Sequence, residues 1–230
     1  MGEGMENDEQ IIPYIHAANI ACGYHAGDAT TMLKTIEACV KNGVQFGAHI
    51  SFYDRENFGR TEMKLDEEDL YELVMQQLII FDEIAGSFDV KPSHVKPHGA
   101  LYNMSARDAK IATTIAKAVK DFDPSLVLYG LSGSESIKQA KAIGLNTSSE
   151  VFADRTYQDD GSLTPRYQPN ALIDSVDAVL KQVLQMKNDG TVTTVSGKKI
   201  PIVAETLCIH GDGVHALEFA KAISQAVMKN

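Results

Sequence analysis

Short apolar segments alternate with amphipathic helical ones along this chain, and nearly every apolar segment ends on a polar, chemically able side chain. Ala18-Asn19-Ile20-Ala21-Cys22-Gly23-Tyr24-His25 runs into a helix, as do Phe46-Gly47-Ala48-His49 and Ser93-His94-Val95-Lys96-Pro97-His98-Gly99. Glu150-Val151-Phe152-Ala153-Asp154-Arg155 and Cys208-Ile209-His210-Gly211-Asp212 repeat the pattern. A helix between successive strands forces them to run parallel, which predicts an α/β fold. Chemistry gathered at strand C-termini is the arrangement of a β/α-barrel enzyme, whose loops share one face.

The 230 residues suffice for one sizeable core, and the unbroken βα rhythm predicts a single domain over 1–230. With 31 acidic against 21 basic residues the net charge is −10, which argues against nucleic acid or an anionic membrane surface as partner. Three cysteines, Cys22, Cys39 and Cys208, are an odd number without C-x-x-C spacing, so a disulfide framework is not expected and a reducing cytoplasm is the simplest location. Cys39 falls on an apolar helix face; Cys22 and Cys208 lie near strand ends, where one could be a nucleophile, but a small buried core cysteine is the commoner occupant of such strands. No apolar run approaches membrane-spanning length.

Six βα units can be placed. The first strand covers about 15–21, and its helix starts near Asp28 with Met32, Leu33, Ile36, Cys39 and Val40 on one face, ending at Gly43. A strand over 44–49 precedes a long polar loop. Asp66 then caps a helix carrying Leu70, Leu73, Val74, Leu78, Phe81 and Ile84, closed by Gly86. After a strand near 94–96, Ser105-x-x-Asp108 reads as a capping box for a helix with Ile111, Ile115, Val119 and Phe122. Strands near 126–129, 145–152 and 206–210 follow, with helices after Ser134, over about 174–188 and at the C-terminus with Val214 and Leu217, and a hairpin at Ser196-Gly197. The polar stretch 155–170 is long enough to suggest a functional loop.

Four histidines, His25, His49, His98 and His210, fall at or just beyond strand ends, where βα units would bring them to one face. A single strand histidine is usually a satisfied core residue; four at equivalent ends point to acid–base work near neutral pH. No spacing signals a metal. His94 and His98 are separated by roughly 13 Å on an extended strand and cannot share an ion. A divalent ion would have to be assembled from different strands, for instance His25, His49 and His210 with Asp212 or Glu3. Lys96 within an apolar strand needs an anion or carboxylate, and an electrophilic clamp fits that need. Arg60, Arg155 and Arg166 could each grip a carboxylate through two parallel hydrogen bonds, or form an ordinary loop ion pair. Asp28 and Asp66 read as helix caps. Neither a Walker-type loop nor G-x-G-x-x-G is present, and Gly130-Leu131-Ser132-Gly133-Ser134 is only a weak phosphate signal.

The segments Asn19 to Asp28, His94 to Asn103 and Val151 to Arg155 resemble the lactam-utilisation LamB/YcsF family, the A subunits of bacterial 5-oxoprolinase. Phe58-Gly59-Arg60, Asp160-Gly161-x-Leu163-x-Pro165-Arg166 and His210-Gly211-Asp212 support the resemblance in order along essentially the whole chain. It implies a seven-stranded, TIM-like (β/α) barrel related to polysaccharide deacetylases. It also implies ATP-dependent ring opening of 5-oxo-L-proline to L-glutamate, with partner subunits B and C and ATP as co-substrate. The family's opening segment, of the form D-L-N-x-D-[LM]-G-E-G, is met here only from the residue before Gly2-Glu3-Gly4. The expectation is therefore a missing first strand, with Met1 internal to a longer reading frame or the chain trimmed.

On this reading His25, His49, His98, His210, Asp154 and Glu3 transfer protons and Lys96 stabilises the developing oxyanion. Arg60, Arg155 and Arg166, with Asn19, Tyr102 and Asp212 from the shared motifs, are the substrate-binding candidates. Two rivals stand beside it: a stand-alone metal-dependent amidase or deacetylase-like hydrolase, and a non-catalytic subunit of the complex. The T-F-D-D-G-type motif of the deacetylases is absent, which weighs against the first.

Overall fold

Every strand that the alternation predicted is present in the structure, a computed structural model that describes residues 1–5 and 7–228. They are β1 (Ala17–Ala21), β2 (Gln45–Ile50), β3 (His94–Pro97), β4 (Val127–Leu131), β5 (Asn146–Phe152), a short antiparallel pair β6 (Thr191–Thr193) and β7 (Lys199–Pro201), and β8 (Thr206–Cys208). The chain divides into two compact units: Met1–Gly130 with Ser134–Ser148, and Leu131–Gly133 with the residues from 149 onward.

In the first unit β1, β2, β3 and β4 pair in that order, all parallel, with Asn19 opposite Gly47 and Gly47 opposite His94. Met1 lies along the outer edge of β1, its amino group donating to the Asn19 carbonyl at 2.7 Å and its carbonyl accepting from the Ala21 amide at 3.0 Å. Helices α1 (Asp8–Ile11), α2 (Ala29–Asn42), α3 (Glu67–Gly86), α4 (Gly99–Arg107), α5 (Ala109–Phe122) and α6 (Glu135–Ala142) belong to this unit. Ile20, Ile36, Cys39, Ile50, Phe52, Val74, Phe81, Val95, Leu101, Ile115 and Val119 are fully buried and make its core. Helix start signals hold: the Asp28 and Asp66 carboxylates accept from the Thr31 and Asp69 amides, both at 2.8 Å. Gly43 ends α2 in the left-handed region, φ 67°.

Several local expectations fail for identifiable reasons. The buried stripe of α2 is Met32, Thr35, Ile36 and Cys39; Leu33 and Val40 are turned to solvent, 41% exposed each, because they lie off that stripe. Ser105 caps nothing. It lies near the end of α4, its hydroxyl donating to the Tyr102 carbonyl, while Asp108 alone caps α5 through the Lys110 and Ile111 amides. Helix α3 runs through Gly86 and the chain turns at Ser87 to Asp89, where Asp89 takes φ 56°.

In the second unit the later part of β5 pairs in parallel with β8, Glu150 opposite Thr206 and Phe152 opposite Cys208. Ser175 caps α7 (Val176–Asp189), which buries Val179, Val183 and Met186. The final helix, α8, spans Ala216–Met228; Val214 lies ahead of it and is 94% exposed, not part of its apolar face. No described helix is long and apolar enough to cross a membrane.

Candidate active site

Gly47 makes room at the middle of β2. A Cβ there would overlap the His94 carbonyl and ring, so the imidazole of His94 lies directly against the bare glycine. That ring donates toward the Asn19 side-chain oxygen at 3.1 Å and stacks on Tyr129 at 4.2 Å. Burial, then the nearby Lys96 charge, push its pKa down from 6.5 to about 3. Because the folded-state value is depressed, the unfolded chain binds this proton first, and stability present above pH 6.5 is lost as the pH falls toward 3. Urea unfolding should therefore show wild type losing roughly 3 kcal/mol more than His94→Gln between neutral pH and about pH 4.5. Equal losses in the two proteins would contradict the assignment.

At or just beyond the strand ends, three of the four predicted histidines come together. His25 and His98 stack face to face at 3.8 Å, and His49 meets each edge-on, at 5.6 and 4.8 Å. Glu3 joins them, its Oε1 3.1 Å from His25 Nε2 and 3.9 Å from His98 Nδ1. All three rings are buried. Two backbone carbonyls set their protonation pattern: His49 Nδ1 donates to Lys96 O at 2.9 Å, and His98 Nε2 to Phe58 O at 2.9 Å. The remaining nitrogens, His49 Nε2 and His98 Nδ1, face each other at 3.0 Å.

Burial, then the neighbouring positive charges, hold His49 well below 6.5; burial followed by the His25 charge brings His98 to about 3. Burial would raise the Glu3 carboxyl, but the Met1 ammonium, the His25 hydrogen bond and the His98 charge outweigh it and bring it to about 2. His25 Nδ1 is buried without a hydrogen-bond partner.

The long polar loop after β2 frames these rings. Asp54 folds it, accepting from the Asn57 side chain at 2.7 Å and the Thr61 amide at 3.0 Å. This turn puts Phe58 at φ 56° and Gly59 at φ 66°, where a Cβ on Gly59 would strike Ser51, His25 and His98. Buried Gln77 of α3 holds the chain just past His49, accepting from Ser51 N at 2.8 Å and donating to Ser51 O at 2.9 Å. Neither Asp54 nor Gln77 stands out in the sequence; only the length of the loop and its Phe58-Gly59-Arg60 motif hint at a role there.

Lys96 is buried, its ammonium 5.6 Å from the centre of the Tyr102 ring, and the exposed Arg60 lies over Phe58 at 4.9 Å. Asn19 is occupied by His94. Cys22, raised to about 12 by burial, is an inert core thiol, and Cys39 and Cys208 are likewise buried.

The fourth histidine, His210, belongs to the second unit. Its Nδ1 lies 3.0 Å from both oxygens of Asp154, and its amide donates to the same carboxylate at 3.3 Å. Burial opposes ionisation of Asp154, but these hydrogen bonds and the His210 charge win and lower its pKa. The pairing engages Nδ1 of His210 with the acid, so Nε2 is the ring's other nitrogen. Arg155 is nearly fully buried, donating to Ala171 O at 3.2 Å and Thr164 O at 2.6 Å. Burial and the Arg166 charge lower its pKa to about 10. Its guanidinium thus ties the long loop down. Arg166 and Asp212 are half-buried in the same unit.

The LamB/YcsF family model matches residues 1–230. The chain belongs to that family. It is 50% identical to the 5-oxoprolinase A subunit of Tolumonas auensis over 98% of this chain and 90% of that protein. The protein of that name from Brevibacillus brevis is 50% identical over 96% of this chain and 87% of its own length. Among solved structures, a lactam utilization protein from Thermus thermophilus superposes with a TM-score of 0.92 at 35% identity, covering 100% of this chain and 94% of the other.

Proposed function

We propose that this chain is the A subunit of an ATP-dependent 5-oxoprolinase, which opens 5-oxo-L-proline to L-glutamate together with partner subunits B and C. The observation that carries the reading is half-identity, over nearly its whole length, to proteins named as 5-oxoprolinase A subunits. The chemistry of the buried histidine cluster is compatible with it. A lactam is a resonance-stabilised amide whose nitrogen leaves poorly. Transfer of the ATP γ-phosphoryl to the lactam oxygen releases ADP and activates the carbon; one water then adds, the C–N bond breaks with a proton to nitrogen to leave a γ-carboxyl phosphate, and a second water displaces phosphate to give L-glutamate.

The chain carries no Walker-type loop, so the partners would handle ATP. The free nitrogens of His49 and His98, turned toward each other and toward Glu3, suit positioning and polarising the attacking water, directly or through a bound ion. Lys96 suits the charge that develops on oxygen, and exposed Arg60 suits the substrate carboxylate. Asp154 and His210 offer a second acid–base pair with its tautomer fixed.

The test is growth of a bacterial strain deleted for its own A protein, with 5-oxoproline as sole nitrogen source. This chain, supplied with its B and C partners, should restore growth. Absence of growth, with all three proteins present in soluble form, would contradict the proposal.

A further inference from the structure

His49 Nε2 and His98 Nδ1 pose a problem that the protein alone does not solve. Each ring gives its only N–H to a backbone carbonyl, Lys96 O and Phe58 O, so two lone pairs face one another at 3.0 Å. Neither carries a hydrogen for the other, and two such lone pairs repel. Something positive must lie between them: a proton or a cation.

A proton would make a buried imidazolium, and burial disfavours the charged ring. The surroundings favour a metal. Glu3 brings a carboxylate, and the three ligand atoms all lie within 4.8 Å of one another. Both imidazoles already make the contact typical of metal-bound histidine, the far N–H donated to a main-chain oxygen that fixes tautomer and ring orientation. His25 in turn holds Glu3 through Nε2 at 3.1 Å, and its own buried Nδ1 has no hydrogen-bond partner in the protein.

We propose that Glu3, His49 and His98 bind one first-row divalent metal ion. Two nitrogens 3.0 Å apart, each about 2.1 Å from a shared ion, subtend roughly 90° at it. That is the cis angle of a five- or six-coordinate centre, and two imidazoles with one carboxylate leave further positions open for water or substrate oxygen. Such an ion would bind whether or not the substrate is 5-oxoproline.

The test uses the full chain stripped with chelator and titrated with Co²⁺, followed by calorimetry and proton NMR. Expected are one Co²⁺ per chain, displaced by Zn²⁺, and two strongly shifted exchangeable imidazole resonances, from His49 Nδ1–H and His98 Nε2–H. Glu3→Gln, His49→Ala and His98→Ala should each weaken binding by more than the roughly 10- to 100-fold that loss of an outer contact costs. Circular dichroism checks that each variant is folded. Should the histidine variants fail to fold, Glu3→Gln and the wild-type spectrum decide. Absence of shifted imidazole protons, or affinity unchanged in Glu3→Gln, would overturn the proposal. So would imidazolium signals from His49 or His98 in metal-free protein that persist when Co²⁺ is added.

Discussion

Gly47→Ala should lower the melting temperature by about 6–12 °C, or leave the chain insoluble, although it adds a single methyl group. Gly47 sits mid-strand in β2, paired on one side with Asn19 of β1 and on the other with His94 of β3. Its backbone is not in the left-handed region, so conformational freedom is not at issue; space is. The added Cβ would run into the His94 carbonyl, which belongs to the neighbouring strand, and into the His94 ring. A side-chain tip can swing aside, but a main-chain oxygen inside a parallel sheet moves only by parting the strands. The ring has its own constraints, Asn19 on one side and Tyr129 on its face. A cost of about 3 kcal/mol or more is in the range for overpacking a buried site. Thermal unfolding followed by circular dichroism checks this. A melting temperature within a degree or two of wild type would mean that β2 and β3 are not packed as described.

The largest expected effect on activity lies at His98. His98→Asn should cut glutamate release by the assembled enzyme by about 10²–10³-fold, the range for loss of one group that stabilises the reacting atoms. Asparagine has no ring nitrogen, so it cannot set a lone pair against His49 Nε2 across the 3.0 Å gap while holding the Phe58 carbonyl. His16→Asn is the control: that histidine is exposed and its loss should change turnover less than about twofold. Size-exclusion chromatography with the B and C partners separates lost chemistry from lost assembly. Near-normal turnover in assembled His98→Asn enzyme would favour a structural role for this chain in the complex.

The sequence was most readable where one local rule decided the outcome. Asp28 and Asp66 cap their helices and Gly43 ends one, because caps depend on residues a few positions apart. Strand positions were legible for the same reason, as apolar runs bounded by turn residues. Helix α4 is hidden in the sequence because it starts directly after His98, on a glycine at φ 54°, without an apolar repeat of its own. That makes Ser105 look like the cap of the helix that follows.

At the site, the positions of His25, His49 and His98 could be guessed from strand ends, but their relationship could not. It depends on which nitrogen each ring has free, and that is decided by Lys96 O and Phe58 O. The Phe58 carbonyl is presented by a loop that Asp54 folds, some forty residues from His98 in sequence. Arg155 shows the converse. Its guanidinium was visible, but the carbonyls of Thr164 and Ala171 that occupy it arrive only when the loop folds back.

The most direct test is glutamate release from 5-oxoproline by the purified chain, alone and with subunits B and C, with and without ATP. Release is expected only when ATP and both partners are present. Ring opening by the chain alone with a divalent metal and no ATP would contradict the proposed function, and would point to a self-sufficient metal-dependent hydrolase.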